Sequence, residues 1–302
     1  MRPGRSRRLD VTQQSAALLF CAPALLGLLI FVFLPFVLAV LLSLTNLKLG
    51  SPLPLEYVGL EQYRRIFADA AFLRGLLNNL LFAVMVVPLQ TLLALALALL
   101  LNRSLRGVVL FRTLFFMPVV FPLSLVAVVW ILIYAPGPNG MMNAFLHALS
   151  FGRLPPYDFL HDAALALPAI MLTSIWQGAG FQMIILLAGL QAIPRQLYEA
   201  AAVDGAGAFE QFLHVTLPQL RNTLVFVVLV TTILAFRLFD QVQIMTQGGP
   251  GDASTTVMYE AVEAAFSRQQ VARGAAMTVV LFVIVLALTL LQRRWTRQER
   301  RP

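Results

Sequence analysis

The sequence has few charged residues for its length. Asp, Glu, Lys and Arg make up 12% of its 302 residues, whereas a soluble globular domain has about 25%. Apolar residues reach 59%, and the mean hydropathy is +0.81. These values exclude an ordinary soluble domain and indicate a chain whose main solvent is lipid.

Cysteine and lysine each occur once. Cys21 alone excludes an internal disulfide. Lys48 has no Gly-x-x-x-x-Gly-Lys-Ser/Thr sequence around it, so ATP hydrolysis by a P-loop is not expected of this chain. The three histidines are far apart and show no metal-ligand spacing, and no Gly-x-Ser-x-Gly nucleophile motif occurs. We therefore predict no metal site, no cofactor on this chain and no enzymatic activity of its own.

The net charge of +8 does not indicate nucleic-acid binding. The basic residues are 21 arginines and one lysine, and most lie in short segments beside apolar runs. A nucleic-acid partner is excluded because no long basic face with interleaved aromatic residues exists for a phosphate backbone to follow.

Acidic residues are missing from the middle of every long apolar run. All 14 fall in predicted loops or at helix ends, whereas ion-coupled carriers usually keep ionisable groups at mid-membrane. Arg237 is the one charge placed within a span, near its outer end with Asp240 one turn later. An interfacial pair and a solute contact both remain open for these two residues.

Six apolar segments are long enough to cross about 30 Å of hydrocarbon as helices. The first is too long for a cleaved signal peptide and is predicted to be retained. Several contain prolines, which kink a helix and free a carbonyl. The predicted fold is all-α and polytopic, with spans near 16–44, 76–101, 108–134, 163–190, 223–239 and 275–291.

The arginines predict the orientation of these spans. With the N-terminus in the cytoplasm, that side holds 14 basic and five acidic residues, and the opposite side holds seven and nine. This bias predicts that both termini are cytoplasmic. It gives a single transmembrane domain over 1–302, with a cytoplasmic segment 1–15, a membrane core 16–291, a cytoplasmic loop 191–222 and a tail 292–302.

The loop at 191–222 is predicted to be structured. Pro194 suits the first position of a short helix, and Asp204-Gly205 ends that helix because glycine accepts the left-handed conformation. A second short helix fits Phe209, Phe212 and Leu213, which share one face. Leu217-Pro218 is then expected to redirect the chain into the fifth span.

Residues 199–220, EAAAVDGAGAFEQFLHVTLPQL, closely resemble the "EAA" loop of binding-protein-dependent ABC importer permeases. VGLEQYRRIFAD at 58–69 and FDQVQIMTQGGPGDASTT at 239–256 are similar to further landmarks of the carbohydrate-type permeases. The resemblance implies the type I importer fold with six spans in an inner membrane. It also implies a second permease subunit, an external solute-binding protein, and a cytoplasmic ATPase dimer that binds ATP and Mg²⁺. A sugar or sugar-like solute would be the cargo.

Two groups of candidate site residues follow. The resemblance implies that the loop docks on the ATPase through the residues of its motif, namely Glu199, Ala200, Ala201, Asp204, Gly205, Ala206, Leu217 and Pro218. Polar or aromatic residues within spans are candidates to line a solute path or, equally, to join helices by hydrogen bonds. They are Asn78, Asn79, Gln90, Trp176, Gln177 and Gln182.

Two other classes of function remain as alternatives. One is a secondary carrier or channel without an ATPase, which the missing mid-membrane acids and the docking loop disfavour. The other is a structural or signalling membrane subunit whose loop binds a partner without moving solute. The sequence alone favours the importer.

Overall fold

A computed structural model describes residues 11–52, 54–102 and 107–298. All regular elements in these ranges are helices, beside one isolated β-bridge between Thr45 and Tyr57. The all-α prediction is therefore confirmed. The arginines at 2, 5, 7, 8, 103, 106, 300 and 301, which contribute to the predicted orientation, lie outside the described residues.

The first span is a nearly continuous helical rod. It consists of α1 (Val11–Leu28), a π turn (Leu29–Phe33) and α2 (Leu34–Ser43). The wider π turn comes directly before Pro35, and the Leu34 N–H bonds to the Leu29 carbonyl across it. A turn of this kind relieves the clash between a proline ring and the preceding turn of helix.

The second span is α4 (Ala70–Leu101), which follows the short α3 (Glu61–Phe67). It begins six residues before the predicted start because the Asp69 carboxylate accepts the Ala71 N–H and caps the helix. At the other end, the Arg112 guanidinium donates to the Leu101 carbonyl at 2.8 Å. A basic group suits a helix C-terminus, where carbonyls lack helical partners.

The third apolar segment is broken, and its prediction as one helix over 108–134 is wrong. It forms α5 (Val108–Val120) and α6 (Leu123–Ile133), whose axes differ by 101°. Phe121 has extended backbone angles because Pro122 disfavours the helical conformation at the residue before it. The described residues thus contain five single helices that could cross a membrane, or six spans if the bent pair counts as one.

The fourth span is α8 (Ala166–Gln191), which follows the short α7 (Met141–Leu149). Pro168 lies in the first turn of α8, where its missing N–H has no helical partner to lose. α8 is the central helix of the bundle and contacts α4, α5 and α6.

The fifth span begins much earlier than predicted. After α9 (Arg195–Val203), the elements α10 (Ala208–Gln211), a π turn (Phe212–Thr216) and α11 (Leu217–Phe236) form one 29-residue helical run. The predicted redirection at Leu217-Pro218 is therefore wrong. The π turn widens the helix just before Pro218, with the Leu217 N–H bonded to the Phe212 carbonyl, so the chain continues straight.

The last region starts with α12 (Asp240–Met245), α13 (Val257–Val262) and a π turn (Glu263–Ser267). The sixth span, α14 (Val271–Gln298), follows them. Arg273 in the first turn of α14 forms an ion pair with Asp69, the cap of α4. This pair ties together the ends of the second and sixth spans.

Two apolar clusters fill the bundle. One contains Trp130, Tyr134 and Ile170, at the end where α6 finishes and α8 begins. The other contains Leu186, Leu190 and Leu220, at the end that carries α9.

Close packing of α8 on α5 gives the first prediction. A Cβ on Gly180 would lie 1.9 Å from the Phe115 carbonyl oxygen, which is backbone and cannot rotate away. Gly180→Ala should therefore destabilise the purified protein by about 1–3 kcal/mol, measured as a lower melting temperature in detergent.

The matched control is Gly27→Ala in the first span, where no atom outside the adjacent backbone of its own helix lies within 4 Å of the added Cβ. Alanine there should leave the melting temperature unchanged or raise it, because glycine within a helix costs about 0.5–1 kcal/mol relative to alanine. Equal melting temperatures for the two variants would contradict the observed packing of α8 on α5.

Candidate functional site

The turn after α9 is a glycine-ended helix terminus of a defined type. Gly205 has a φ of +85°, its N–H bonds to the Ala202 carbonyl, and the Ala206 N–H bonds to the Ala201 carbonyl. These two bonds define the Schellman motif and confirm that the helix stops at Asp204-Gly205. Pro194 precedes the helix as its N-cap, one residue before the predicted position.

One face of α9 is free in this subunit. No residue of α9 is buried, Glu199 and Ala200 are exposed, and the Val203 side chain is 87% exposed. The other side is held, because the Tyr198 hydroxyl lies 2.9 Å from the Thr216 Oγ1 in the π turn. α9 is therefore a short, oriented helix with an open surface.

The helical run after this turn connects α9 to the membrane. The Glu210 carboxylate accepts the Gly207 N–H at 2.8 Å, which orders the start of α10. Phe212 packs against the apolar cluster at this end, whereas Phe209 is 74% exposed. The predicted second short helix is therefore the first part of the fifth span, and Leu217 and Pro218 lie within that helical run.

A second feature is a cleft of about 260 Å³ between α4, α8, α11 and α12, here called the polar cleft. Its polar lining includes Gln90 and Gln177, two of the residues predicted to line a path. Its apolar lining includes Phe82, Val86 and Leu234. The full lining is Phe82, Val86, Gln90, Leu123, Ser174, Gln177, Gly178, Thr231, Leu234, Ala235, Arg237, Leu238, Phe239, Asp240 and Gln241.

Amide groups at the polar cleft have unused hydrogen-bonding capacity. The Ser174 hydroxyl donates to the Gln241 Oε1, but the Gln241 Nε2 is buried without a partner among the described residues. Gln182, also a predicted path residue, donates to Thr231 on the cleft wall, and its Oε1 is likewise buried and unpaired in the described part of the chain. Gln182 lies outside the cleft lining and both unpaired atoms are buried, so they could bond to a hydroxylated solute only after a side chain or helix moves.

Asn78 and Asn79 lie elsewhere and hold a loop. The Asn78 amide donates to the carbonyls of Asp252, Ala253 and Thr255 at 2.9–3.2 Å. The Asn79 Oδ1 accepts the Val257 N–H at 2.9 Å, and its amide nitrogen lies 3.4 Å from the Ala235 carbonyl. The structure does not bring either residue to the polar cleft, and both join α4 to the chain between α11 and α14.

Trp176, Arg237 and Asp240 are the remaining candidate residues from the sequence. Trp176 is 46% exposed and meets Trp130 edge to face at 5.5 Å, on a different face of α8 from the cleft lining. Arg237 and Asp240 both line the polar cleft, and no ion pair joins them in the described ranges. The interfacial ion pair is therefore not formed, and both charges face the cavity.

Sequence reasoning missed Ser174, Thr231 and Gln241 as cleft residues. Ser174 lies one turn before Gln177, so helical spacing could have added it. Thr231 has no such signal, because hydroxyls within spans usually bond back to the helix, as Thr231 does to the Val227 carbonyl. Gln241 lies in a predicted outer loop, and it reaches the cavity because α12 packs back against α6 and α8.

The different environments of Asn79 and Gln177 give the second prediction. Asn79→Ala leaves the buried Val257 N–H unpaired, which costs about 1–3 kcal/mol, so the melting temperature in detergent should fall. Gln177→Ala should change stability by less than about 0.5 kcal/mol, because the Gln177 side chain is only half-buried and its amide makes no hydrogen bond within the described residues. A lower melting temperature for Gln177→Ala but not for Asn79→Ala would contradict the structural role of Asn79 and the cavity-lining role of Gln177.

Comparisons with known proteins agree on one family. The family model described as "Binding-protein-dependent transport system inner membrane component" matches residues 70–301. The chain is 36% identical to the probable ABC transporter permease protein YurN of Bacillus subtilis, over 92% of this chain and 94% of that protein.

A second relative is the sulfoquinovosyl glycerol transport system permease protein SmoG of Agrobacterium fabrum. It is 34% identical over 98% of this chain and 95% of that protein. The fold is that of a bacterial alginate ABC transporter crystallised with an alginate pentasaccharide-bound periplasmic protein. The TM-score is 0.82 with 20% identity, over 96% of each chain. This chain therefore belongs to the family of binding-protein-dependent transport system inner membrane components.

Proposed function

We propose that this permease imports a sugar or sugar-like solute, driven by a separate ABC ATPase dimer that docks on α9. The observation that carries the proposal is the free face of α9, a helix that lies between the fourth and fifth spans and is tied to the fifth by the Tyr198–Thr216 hydrogen bond. The sequence contains no P-loop, so ATP and Mg²⁺ would bind to the partner ATPase and not to this chain.

The exposed residues of α9 suit a docking surface. Glu199 can accept hydrogen bonds from an arginine or backbone donor on the ATPase. Ala200 beside it is small enough for close approach, and Gly205 supplies the turn that presents both. In this proposal α9 and both termini are cytoplasmic, as the arginine distribution of the sequence predicts.

A path for mechanical coupling leads from α9 to the polar cleft. The Tyr198–Thr216 hydrogen bond joins α9 to the base of α11. Thr231 on the cleft wall lies fourteen residues above Leu217 along that helix, or about 21 Å. A displacement of α9 by the closing ATPase dimer would thus move one wall of the cleft relative to Gln182 on α8.

The polar cleft suits a polyhydroxylated solute. Its amides and hydroxyls can bond to sugar hydroxyls, and its apolar wall can cover the faces of a sugar ring. SmoG is named for a sugar derivative, and the structural neighbour is an importer of a polysaccharide. An external solute-binding protein would deliver the solute to the loops at 45–75, 135–162 and 240–274. A second permease would complete the path.

The decisive experiment is co-purification followed by transport. The permease should co-purify with an ABC ATPase, and vesicles containing the complex, loaded with ATP, should take up solute in the presence of the binding protein. Uptake without ATP would instead indicate a secondary carrier or channel. Partner binding without any uptake would indicate a structural or signalling subunit.

A third prediction concerns the turn after α9. Gly205→Val should abolish ATP-dependent uptake while membrane insertion survives, because a β-branched residue strongly disfavours a φ of +85°. Gly205→Asn is the matched control at the same position and should retain more uptake, since asparagine tolerates the left-handed conformation.

Glu199→Lys should also abolish uptake, by reversing the charge of the docking face. Wild-type ATPase binding and uptake by Gly205→Val and Glu199→Lys would refute docking through α9.

A fourth prediction concerns the polar cleft. Gln177→Ala should lower solute uptake several-fold at low solute concentration, because a side chain proposed to contact the solute is removed. ATPase binding should stay unchanged, since Gln177 lies far from α9 along α8. Trp176→Phe, one residue away and outside the cleft lining, serves as the control and should change uptake less. A larger loss of uptake for Trp176→Phe than for Gln177→Ala would indicate that the solute path runs along the other face of α8.

A further inference from the structure

The short helix α7 has one face that is entirely apolar and exposed. Met141, Phe145 and Leu149 are 67%, 61% and 66% exposed and recur every four residues. Ala144 and Ala148 are also exposed and lie on the same face at helical spacing. No described residue of the chain covers this face.

The opposite face of α7 is fixed to the bundle. Asn143 is 3% exposed; its Nδ2 donates to the Tyr157 carbonyl at 2.8 Å, and its Oδ1 accepts the Tyr157 N–H at 2.9 Å. Met142 packs against the apolar cluster that contains Trp130 and Tyr134. Because these contacts prevent rotation of the helix, the apolar face cannot turn inward.

Phe151 follows the helix directly and adds to this observation. It has a φ of +53° and is 93% exposed. A left-handed conformation costs roughly 1–2 kcal/mol for a residue with a Cβ. Here the Schellman turn that ends α7 offsets this cost, with the Phe151 N–H bonded to the Ala148 carbonyl and the Gly152 N–H to the His147 carbonyl. The turn leaves the Phe151 side chain exposed directly after the apolar helix.

The position of α7 indicates what provides that contact. The Asn143 Nδ2 lies 3.5 Å from the carbonyl of Ala135, which is two residues beyond the end of α6. Tyr134, Phe159 and Tyr157 lie beside it, with ring centroids 5.3 and 6.0 Å apart along the series. Tyr134 is buried and its hydroxyl donates to the Ala169 carbonyl at 3.0 Å, so this series ties α7 to the ends of α6 and α8, where those helices leave the membrane.

The charges around α7 also suit a lipid surface. From residue 135 to residue 157 the sequence contains no acidic residue, and its one arginine is the exposed Arg153. The next carboxylate, Asp158, is paired with His161 at 2.9 Å. Arginine beside an apolar helix can reach lipid phosphates while the apolar side chains enter the acyl region.

We propose that α7 lies in the membrane–water interface, with its apolar face among the acyl chains of the leaflet opposite α9. That leaflet follows from the fold. α7 contacts the chain at the end of α6, where Tyr134 bonds to Ala169 in the first turns of α8, whereas α9 follows the last residue of α8, roughly 39 Å away along 26 helical residues. The proposal rests on membrane insertion by the family and not on the identity of the solute, and it leaves the parts of the loop at 135–162 outside α7 for the solute-binding protein.

Quenching of a probe by lipid tests this placement. In a Cys21→Ala background, Phe145→Cys and His147→Cys each carry an environment-sensitive fluorophore in the assembled importer, in phospholipid nanodiscs. His147 is an exposed polar residue at the edge of the apolar face and serves as the control. Spin-labelled lipids with the nitroxide high on the acyl chain should quench the probe at 145 at least twofold more than the probe at 147, and aqueous iodide should show the opposite order.

Three results would overturn the proposal. Iodide quenching at 145 equal to that at 147 would place the face in water. Shielding from both quenchers would mean that the second permease covers it. Lipid quenching at 145 that disappears when the solute-binding protein is added would make that protein the occupant. Because no readout depends on uptake, these outcomes are separate from any failure of the transport proposal.

Discussion

Every backbone N–H and C=O within the hydrocarbon region needs a partner inside the protein, since lipid offers none. This requirement makes the chain helical and makes each proline in a span a local problem. The structure shows three solutions, while Pro23, Pro88 and Pro118 remain inside helices. Pro35 and Pro218 follow π turns, Pro168 lies in a first turn, and Phe121-Pro122 ends a helix altogether.

The site near α9 depends on these solutions. A kink at Pro218 would separate the loop from the fifth span, but the π turn keeps 208–236 in one run. Thr216, the last residue of that turn, is the residue that contacts Tyr198 of α9. The irregular turn therefore joins the candidate docking helix to α11, whose far end forms a wall of the polar cleft. Such a connection can transmit a displacement without a flexible joint.

Much of this arrangement could be predicted from local sequence. The helix end at Asp204-Gly205 is a local signal, because glycine is the residue that most readily adopts the left-handed conformation after a helix. The spans follow from apolar length alone, except where proline intervenes. The sequence does not distinguish the 101° break at Phe121-Pro122 from the straight passage at Leu217-Pro218. The difference depends on whether the preceding turn can widen while its carbonyls keep partners.

The amides show the same limit for the candidate site. Asn79 and Gln90 are both amide residues buried within α4, and no pattern in the sequence separates them. The separation is tertiary: Asn79 meets the backbone of Val257, whereas Gln90 faces a cavity opposite Gly178 and Gln177. A Cβ on Gly178 would lie 2.2 Å from the Gln90 Nε2, so glycine at this position is what leaves room for the amide beside the cavity. A buried amide thus joins helices where a backbone N–H or C=O lies within hydrogen-bonding distance, and it lines the cavity where none does.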